Sequence, residues 1–218
     1  MSTRAQVRAP LNRDRVIDAA ITIADAEGVE AVTMRRLAEE LGVHPTSMYN
    51  HIATKDAILD GIAEALIAEA HVPTPVDSWA DWVRAFAAGI RSVARAHPGA
   101  FLVLTQRAAV GPTASEVTEA GLDAFRRAGF SPLAAGQAVS GTSLALLGIA
   151  LNECPPTAAL TDAHLKDLSP QEFPRINETV AADVDQEGVW TLMVEALVTG
   201  LAASLGAPKP TSRRRLRQ

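Results

Sequence analysis

The stretch that decides the fold runs Leu37-Ala-Glu-Glu-Leu-Gly-Val-His-Pro-Thr-Ser-Met-Tyr-Asn-His-Ile-Ala-Thr-Lys-Asp-Ala-Ile-Leu59. Leu37, Ala38 and Leu41 recur at helical spacing before Gly42, a residue that can enter the left-handed conformation needed to stop a helix. His44-Pro45 then restarts the chain: the residue before a proline is pushed out of the helical region, and proline suits a first helical position. A short helix is therefore expected from Pro45 to about Ile52. Two short helices about a glycine turn, with a small residue (Ala38) where they touch and Val43 and Met48 to lock them, read as a helix-turn-helix.

Working outward, Asn12 is an N-cap for a preceding helix whose Val16, Ala19, Ala20, Ile23 and Ala24 form one apolar stripe ending at Gly28. Thr33 caps the second helix. Thr54 caps a fourth, with Asp56 in its first turn and Ile58, Leu59, Ile62, Leu66 and Ile67 inward, ended by Pro73 and Pro75. Composition then shifts. Trp79, Trp82, Val83, Phe86, Ile90 and Val93 mark a long helix as far as His97-Pro98, and further helices are read at 99–109, 113–128, 132–153 and 185–205. The proline-punctuated segment 155–174 reads as a loop with a helical turn at 162–168. The expected organisation is a basic N-terminal arm (1–11), a helix-turn-helix domain (12–56), a connecting helix and linker (57–75), a helical body (76–206) and a basic tail (207–218).

With 218 residues, 48% of them hydrophobic, the chain is long enough to bury a core unaided. Its 41 alanines and few β-formers make it an all-α protein. One cysteine, Cys154, excludes an intrachain disulfide, and scattered histidines lack metal-ligand spacing, so no metal and no cofactor is expected. The N-terminus has arginines but no apolar stretch behind them, and a reducing, cytoplasmic setting is expected. Ala128 to Asn152 carries no charge, but its glycines, serines and threonines suit a buried interface helix rather than a membrane span.

A net charge of −5 argues at first against a partner that is itself a polyanion. Its distribution matters more. Residues 57–208 hold eight basic and seventeen acidic side chains, whereas the first fifteen residues are at +3 and the last ten at +5. A basic arm on an acidic body is compatible with local phosphate contact. The Arg213 to Arg217 tail reads first as a solvated end and second as a nonspecific attraction for phosphate.

Pro45 at the start of the third helix leaves Thr46, Ser47 and Asn50 free to project into a major groove, where hydroxyls and amides meet base edges. Tyr49 and His51 offer donors to phosphate oxygens. Lys55 stands at a helix start, where a cation opposes the dipole unless an anion is present. Thr33 can contact phosphate in the same way, and Arg35 is long enough to reach a guanine edge. Each has an ordinary alternative: Tyr49 packed between helices, His51 as a cap or core residue, Arg35 as a solvated charge.

The segment from Leu37 to Leu59, with Thr33-Met34-Arg35-Arg36 and the first helix upstream, resembles the DNA-binding segment of the tetracycline-repressor (TetR) family, most specifically at Tyr49, His51 and Lys55. Phe173-Pro174 followed by Asp185 to Leu205 is more loosely similar to the closing segment of the family's C-terminal domain. The resemblance implies an all-helical homodimer in which an N-terminal three-helix unit binds double-stranded operator DNA and the larger domain provides a small-molecule pocket and the dimer interface. It also implies the guanine contact for Arg35. Asn50 stands where the family often has a bulky aromatic and Ser47 where threonine is frequent, so the operator sequence does not carry over.

Trp82, Phe86, Phe101, Gln106, Phe125 and Asn152 are the candidate pocket residues, and they suit an apolar or aromatic effector. The uncharged 128–152 helix and the last helix are the candidates for self-pairing, with Gly141, Ala145 and Gly148 permitting close approach. A phosphate loop, a His-Glu-x-x-His pattern and a Gly-x-Ser-x-Gly elbow are all missing from the sequence. The expectation is a ligand-responsive repressor and not an enzyme. An effector-independent DNA-binding protein and an all-helical enzyme are the alternatives.

Overall fold

The computed structural model describes residues 10–107, 111–154, 165, 168–182 and 185–206, and every regular element among them is helical. Most of the basic arm, the tail and nearly all of the turn expected at 162–168 lie outside the described residues.

Four helices build the head: α1 (Arg13–Glu27), α2 (Met34–Leu41), α3 (Pro45–Met48) and α4 (Lys55–Glu69). Their starts are fixed by side chains taking up otherwise orphaned backbone donors. Asn12 Oδ1 accepts from Arg15 N at 2.9 Å, and Thr33 and Thr54 hydroxyls accept from Arg36 N and Ala57 N, each at 3.1 Å. Gly42 ends α2 at φ 62°, where its N–H reaches the carbonyls of Ala38 and Glu39. Val16, Ala20, Ile23, Leu37, Met48, Ile58, Ile62 and Leu66 are fully buried. The core of the head thus continues past the expected limit at residue 56, because α4 packs along α1.

The body contains α5 (Trp79–Ala96), α6 (Leu102–Gln106), α7 (Pro112–Arg127), α8 (Pro132–Ala150), α9 (Pro174–Ala181) and α10 (Gln186–Gly206). Its centre is aromatic. Trp82 stacks on Phe86 at 5.1 Å, Trp79 on Phe125 at 5.4 Å, and Phe130 meets Phe125 edge-on at 5.0 Å. The indole N–H of Trp82 donates to the buried Val117 carbonyl at 2.9 Å.

Two expected elements differ, and one helix was not expected. The third helix stops at Met48, and Tyr49 to His51 form a turn closed by His51 N and Ile52 N donating to Met48 O; buried Met48 and Ile52 anchor both ends of this turn. The 99–109 helix shortens to α6, since His97 to Phe101 make a turn in which Phe101 N donates to His97 O. Helix α9 was not anticipated, because it buries none of its residues and so shows no apolar stripe.

Head and body meet at the turn after α5. Gly99 lies so close to α1 that a Cβ there would collide with the Ala24 carbonyl. Asp25 Oδ1 accepts from Gly99 N and Ala100 N, at 3.0 and 2.9 Å, and His97 bridges Asp25 (2.7 Å) and Glu69 (3.0 Å). Partial burial disfavours the imidazolium, but the hydrogen bond to Asp25 and the charges of Glu69 and Asp25 outweigh it, so the His97 pKa stands above its ordinary 6.5. A raised value means stabilisation that is complete below the unfolded pKa and is lost as pH rises through the folded one. His97→Gln should therefore lower the thermal midpoint more at about pH 5.5 than at about pH 8.5. Equal shifts at both, measured by circular dichroism, would remove this bridge from the stability of the joint.

Candidate DNA-binding face and effector cavity

The sequence-predicted DNA residues fall on one short run of elements. Thr33 caps α2 and Arg35 lies in its first turn. Pro45, Thr46 and Ser47 lie in α3, Tyr49, Asn50 and His51 in the turn after it, and Lys55 opens α4. All are exposed except Lys55, which is half-buried with Nζ 3.9 Å from Glu30. Tyr49 is 56% exposed, so its ring is not packed between helices, and the exposed His51 is not a core residue. The Arg35 side chain is 88% exposed, with only a long 3.8 Å contact to Glu39. A loose pair of this kind on the surface leaves a side chain free to be redirected.

Arg36, next in sequence, is placed differently. Its guanidinium donates to Glu27 at 2.7 Å and Glu40 at 2.9 Å, clipping α2 to the end of α1, and these two carboxylates raise its pKa. One residue of this face escaped the sequence reading. His44 Nδ1 accepts from Thr46 N at 3.3 Å and lies 2.9 Å from Thr46 Oγ1, so the imidazole caps α3 and orients Thr46. Histidine is a rare cap, which is why composition did not reveal it.

A cavity of about 490 Å³ opens in the body, within the roughly 300–1,000 Å³ usual for small-molecule sites. Ile67 of α4, Trp82 and Phe86 of α5, Leu104 to Arg107 around the end of α6, Ala114, Val117 and Thr118 of α7, and Val139, Ser140, Ser143, Leu144 and Leu147 of α8 supply its wall. Of the expected pocket residues, Trp82, Phe86 and Gln106 line it. Phe101 and Phe125 do not, being fully buried in the core, and Asn152 is exposed in a short 3-10 turn beyond α8. Thr105, Thr118, Ser140 and Ser143 also line it; a small polar residue on a helix carries no local pattern that marks a cavity wall.

Helices α8 and α10 leave apolar side chains uncovered. Leu144 is 74% exposed, and Leu133, Leu192 and Met193 are exposed too, while Gly141 and Gly148 face open space. The segment Pro132–Glu153 is long and apolar enough to cross a membrane by length and composition, and a third of its most apolar window is buried within the chain. Helix α10 is tied to α5 by Arg84 with Glu195, at 3.0 and 3.1 Å, and by Arg91, which reaches Glu187 at 2.9 Å and stacks over Trp190.

Residues 16–62 match the family of bacterial regulatory proteins described as tetR. An HTH-type transcriptional regulator of Saccharopolyspora erythraea is 32% identical over 206 residues, covering 90% of this chain and 86% of that protein. The class D tetracycline repressor protein of Escherichia coli is 30% identical over 207 residues, covering 91% and 93%. Among solved structures, apo ActR of Streptomyces coelicolor has a TM-score of 0.77 at 28% identity, over 91% of this chain and 98% of that one. ActR in complex with actinorhodin follows at 0.75 and 28%, over 91% and 100%.

Local geometry at the face rests on Gly42. Alanine there would have to hold a left-handed backbone, at a cost of about 1–2 kcal/mol. Gly42→Ala should lose that much in urea denaturation and also misplace α3. An unchanged midpoint would show that the turn tolerates a Cβ.

Proposed function

Since the chain belongs to the TetR family of bacterial transcriptional regulators, we propose that it is a ligand-responsive repressor that binds a near-palindromic operator as a homodimer in the cytoplasm. The observation that carries this reading is the span of one helix. Helix α4 begins at the exposed face with Lys55 and contributes Ile67 to the cavity wall near its other end. Occupation of the cavity is thereby felt by the element on which the head packs.

The roles divide by chemistry. Arg35, Thr46, Ser47 and Asn50 carry polar groups suited to base edges. Thr33, Tyr49, His51 and Lys55 supply donors for phosphates, which position the head without reading sequence. Pro45 sets the start of α3. The uncovered faces of α8 and α10 supply the self-pairing surface, because apolar patches of this kind are rarely left to water and a two-fold pair places two recognition helices on successive turns of a duplex. The mainly apolar cavity suits an aromatic effector, and the similar ActR has been solved in complex with actinorhodin. When the effector shifts α6 and α7, the carboxylate of Glu64 on α4 follows, since it accepts from Thr113 N at 2.6 Å in the first turn of α7. The heads then lose their match to the grooves. We assign the chain no catalytic role.

Selection of duplexes from a random pool by the full chain tests the division. Tyr49→Ala and Lys55→Ala should weaken binding to all sequences alike, the lysine change reducing the salt slope by about 1. Arg35→Ala and Ser47→Ala should change the sequence preferred, costing about 1–3 kcal/mol at the position read. The same pattern from both sets would overturn the assignment.

A further inference from the structure

Cavity and head share a cation. Arg107, just beyond α6, lines the cavity, and among the described lining residues it alone carries a formal charge. Its guanidinium is engaged on α4: Nη1 donates to Asp56 at 2.9 Å and Nε lies 3.1 Å from Asp60. Asp56, Asp60 and Glu64 stand four residues apart and so share one face of α4. Glu64 accepts from the backbone donors of Thr113 and Ala114 at the start of α7. For Asp56 and Asp60 the ion-pair partner among the described residues is Arg107.

These pairs are wet. The Asp56 side chain is 77% exposed, so solvent screens its attraction for Arg107 and the pairs are weak. An anion held inside the apolar cavity meets the same guanidinium where water is scarce and the Coulomb attraction is stronger. It can also use the planar donor fork of arginine, which fits a carboxylate. The exchange therefore favours the ligand. It has a direct consequence for DNA: Asp56 follows Lys55 at the exposed end of α4, so withdrawing Arg107 leaves two unneutralised carboxylates, four residues apart, beside the proposed phosphate contacts.

We propose that the effector is an aromatic acid, whose carboxylate takes Arg107 from Asp56 and Asp60 and so turns binding in the cavity into repulsion of DNA. This rests on the reading of the chain as a ligand-responsive DNA-binding protein. It adds the charge of the ligand and the residue that meets it.

The test uses the full chain, with anthracene-2-carboxylate and anthracene-2-carboxamide as probes of equal shape. Quenching of tryptophan fluorescence, with Trp82 in the cavity wall, reports binding, and anisotropy of a duplex selected by the wild-type chain reports DNA affinity. The acid should bind the wild type on the order of tenfold tighter than the amide, and Arg107→Gln should erase that preference. Without any probe, Arg107→Gln should bind every duplex on the order of tenfold more weakly, and adding Asp56→Asn and Asp60→Asn should restore binding. Asp56→Asn with Asp60→Asn alone, which keeps the arginine, should bind the acid more tightly than the wild type, since the competitors are gone. Equal binding of acid and amide, uptake of neither, a preference that survives Arg107→Gln, or unchanged DNA affinity in that variant would each overturn the exchange while leaving a DNA-binding repressor in place. A wild-type chain that selected no duplex would instead remove the reading beneath it.

Discussion

Helix α4 has to serve two structures at once. Helices α1 to α3 with their turns amount to little more than forty residues, near the limit below which a chain cannot bury enough apolar surface to hold itself together. Ile58, Ile62 and Leu66 supply the missing side of that core. The same helix is held to the body by Glu64, Asp60, Asp56 and Glu69, on partners from α6, α7 and the turn at His97. The head therefore cannot fold independently of the helix that the body holds, and its orientation is set by the body.

That constraint gives the polar contacts that cross the joint a particular part, beside its apolar packing. Apolar packing alone resists displacement in all directions and tolerates sliding poorly. Exposed ion pairs and single hydrogen bonds are individually weak, so they can be exchanged without unfolding either part. The joint holds His97 between two carboxylates and Arg107 between two more, whereas the interior of the head is built from aliphatic side chains.

Much of this was legible in the sequence. The caps at Asn12, Thr33 and Thr54, the glycine at 42 and the proline at 45 fixed the head, since each acts through its own neighbours in the chain. The long helices of the body followed from apolar periodicity. What escaped depends on residues far apart. Arg107 is fifty-one residues from Asp56, and His97 is seventy-two from Asp25; no local pattern couples them. The cavity was half legible: Trp82, Phe86 and Gln106 do line it, but aromatic side chains are also the best core fillers, so Phe101 and Phe125 went to the interior. Helix α9 and the truncated α3 lacked a buried stripe of their own. His44 was passed over because its capping role depends on ring orientation rather than on residue type.

If α4 ties each head to the body, a pair of bodies holds two heads at one fixed separation. Affinity for a selected palindrome should then depend sharply on the spacing of its halves. The direct measurement is a set of duplexes whose central spacer is lengthened one base pair at a time through about half a helical turn of roughly 10.5 base pairs. The account predicts tight binding at a single spacing and its loss when the second half-site is turned to the opposite side of the duplex. Affinity that ignored the spacing would mean that the heads move freely on their bodies, and would contradict it.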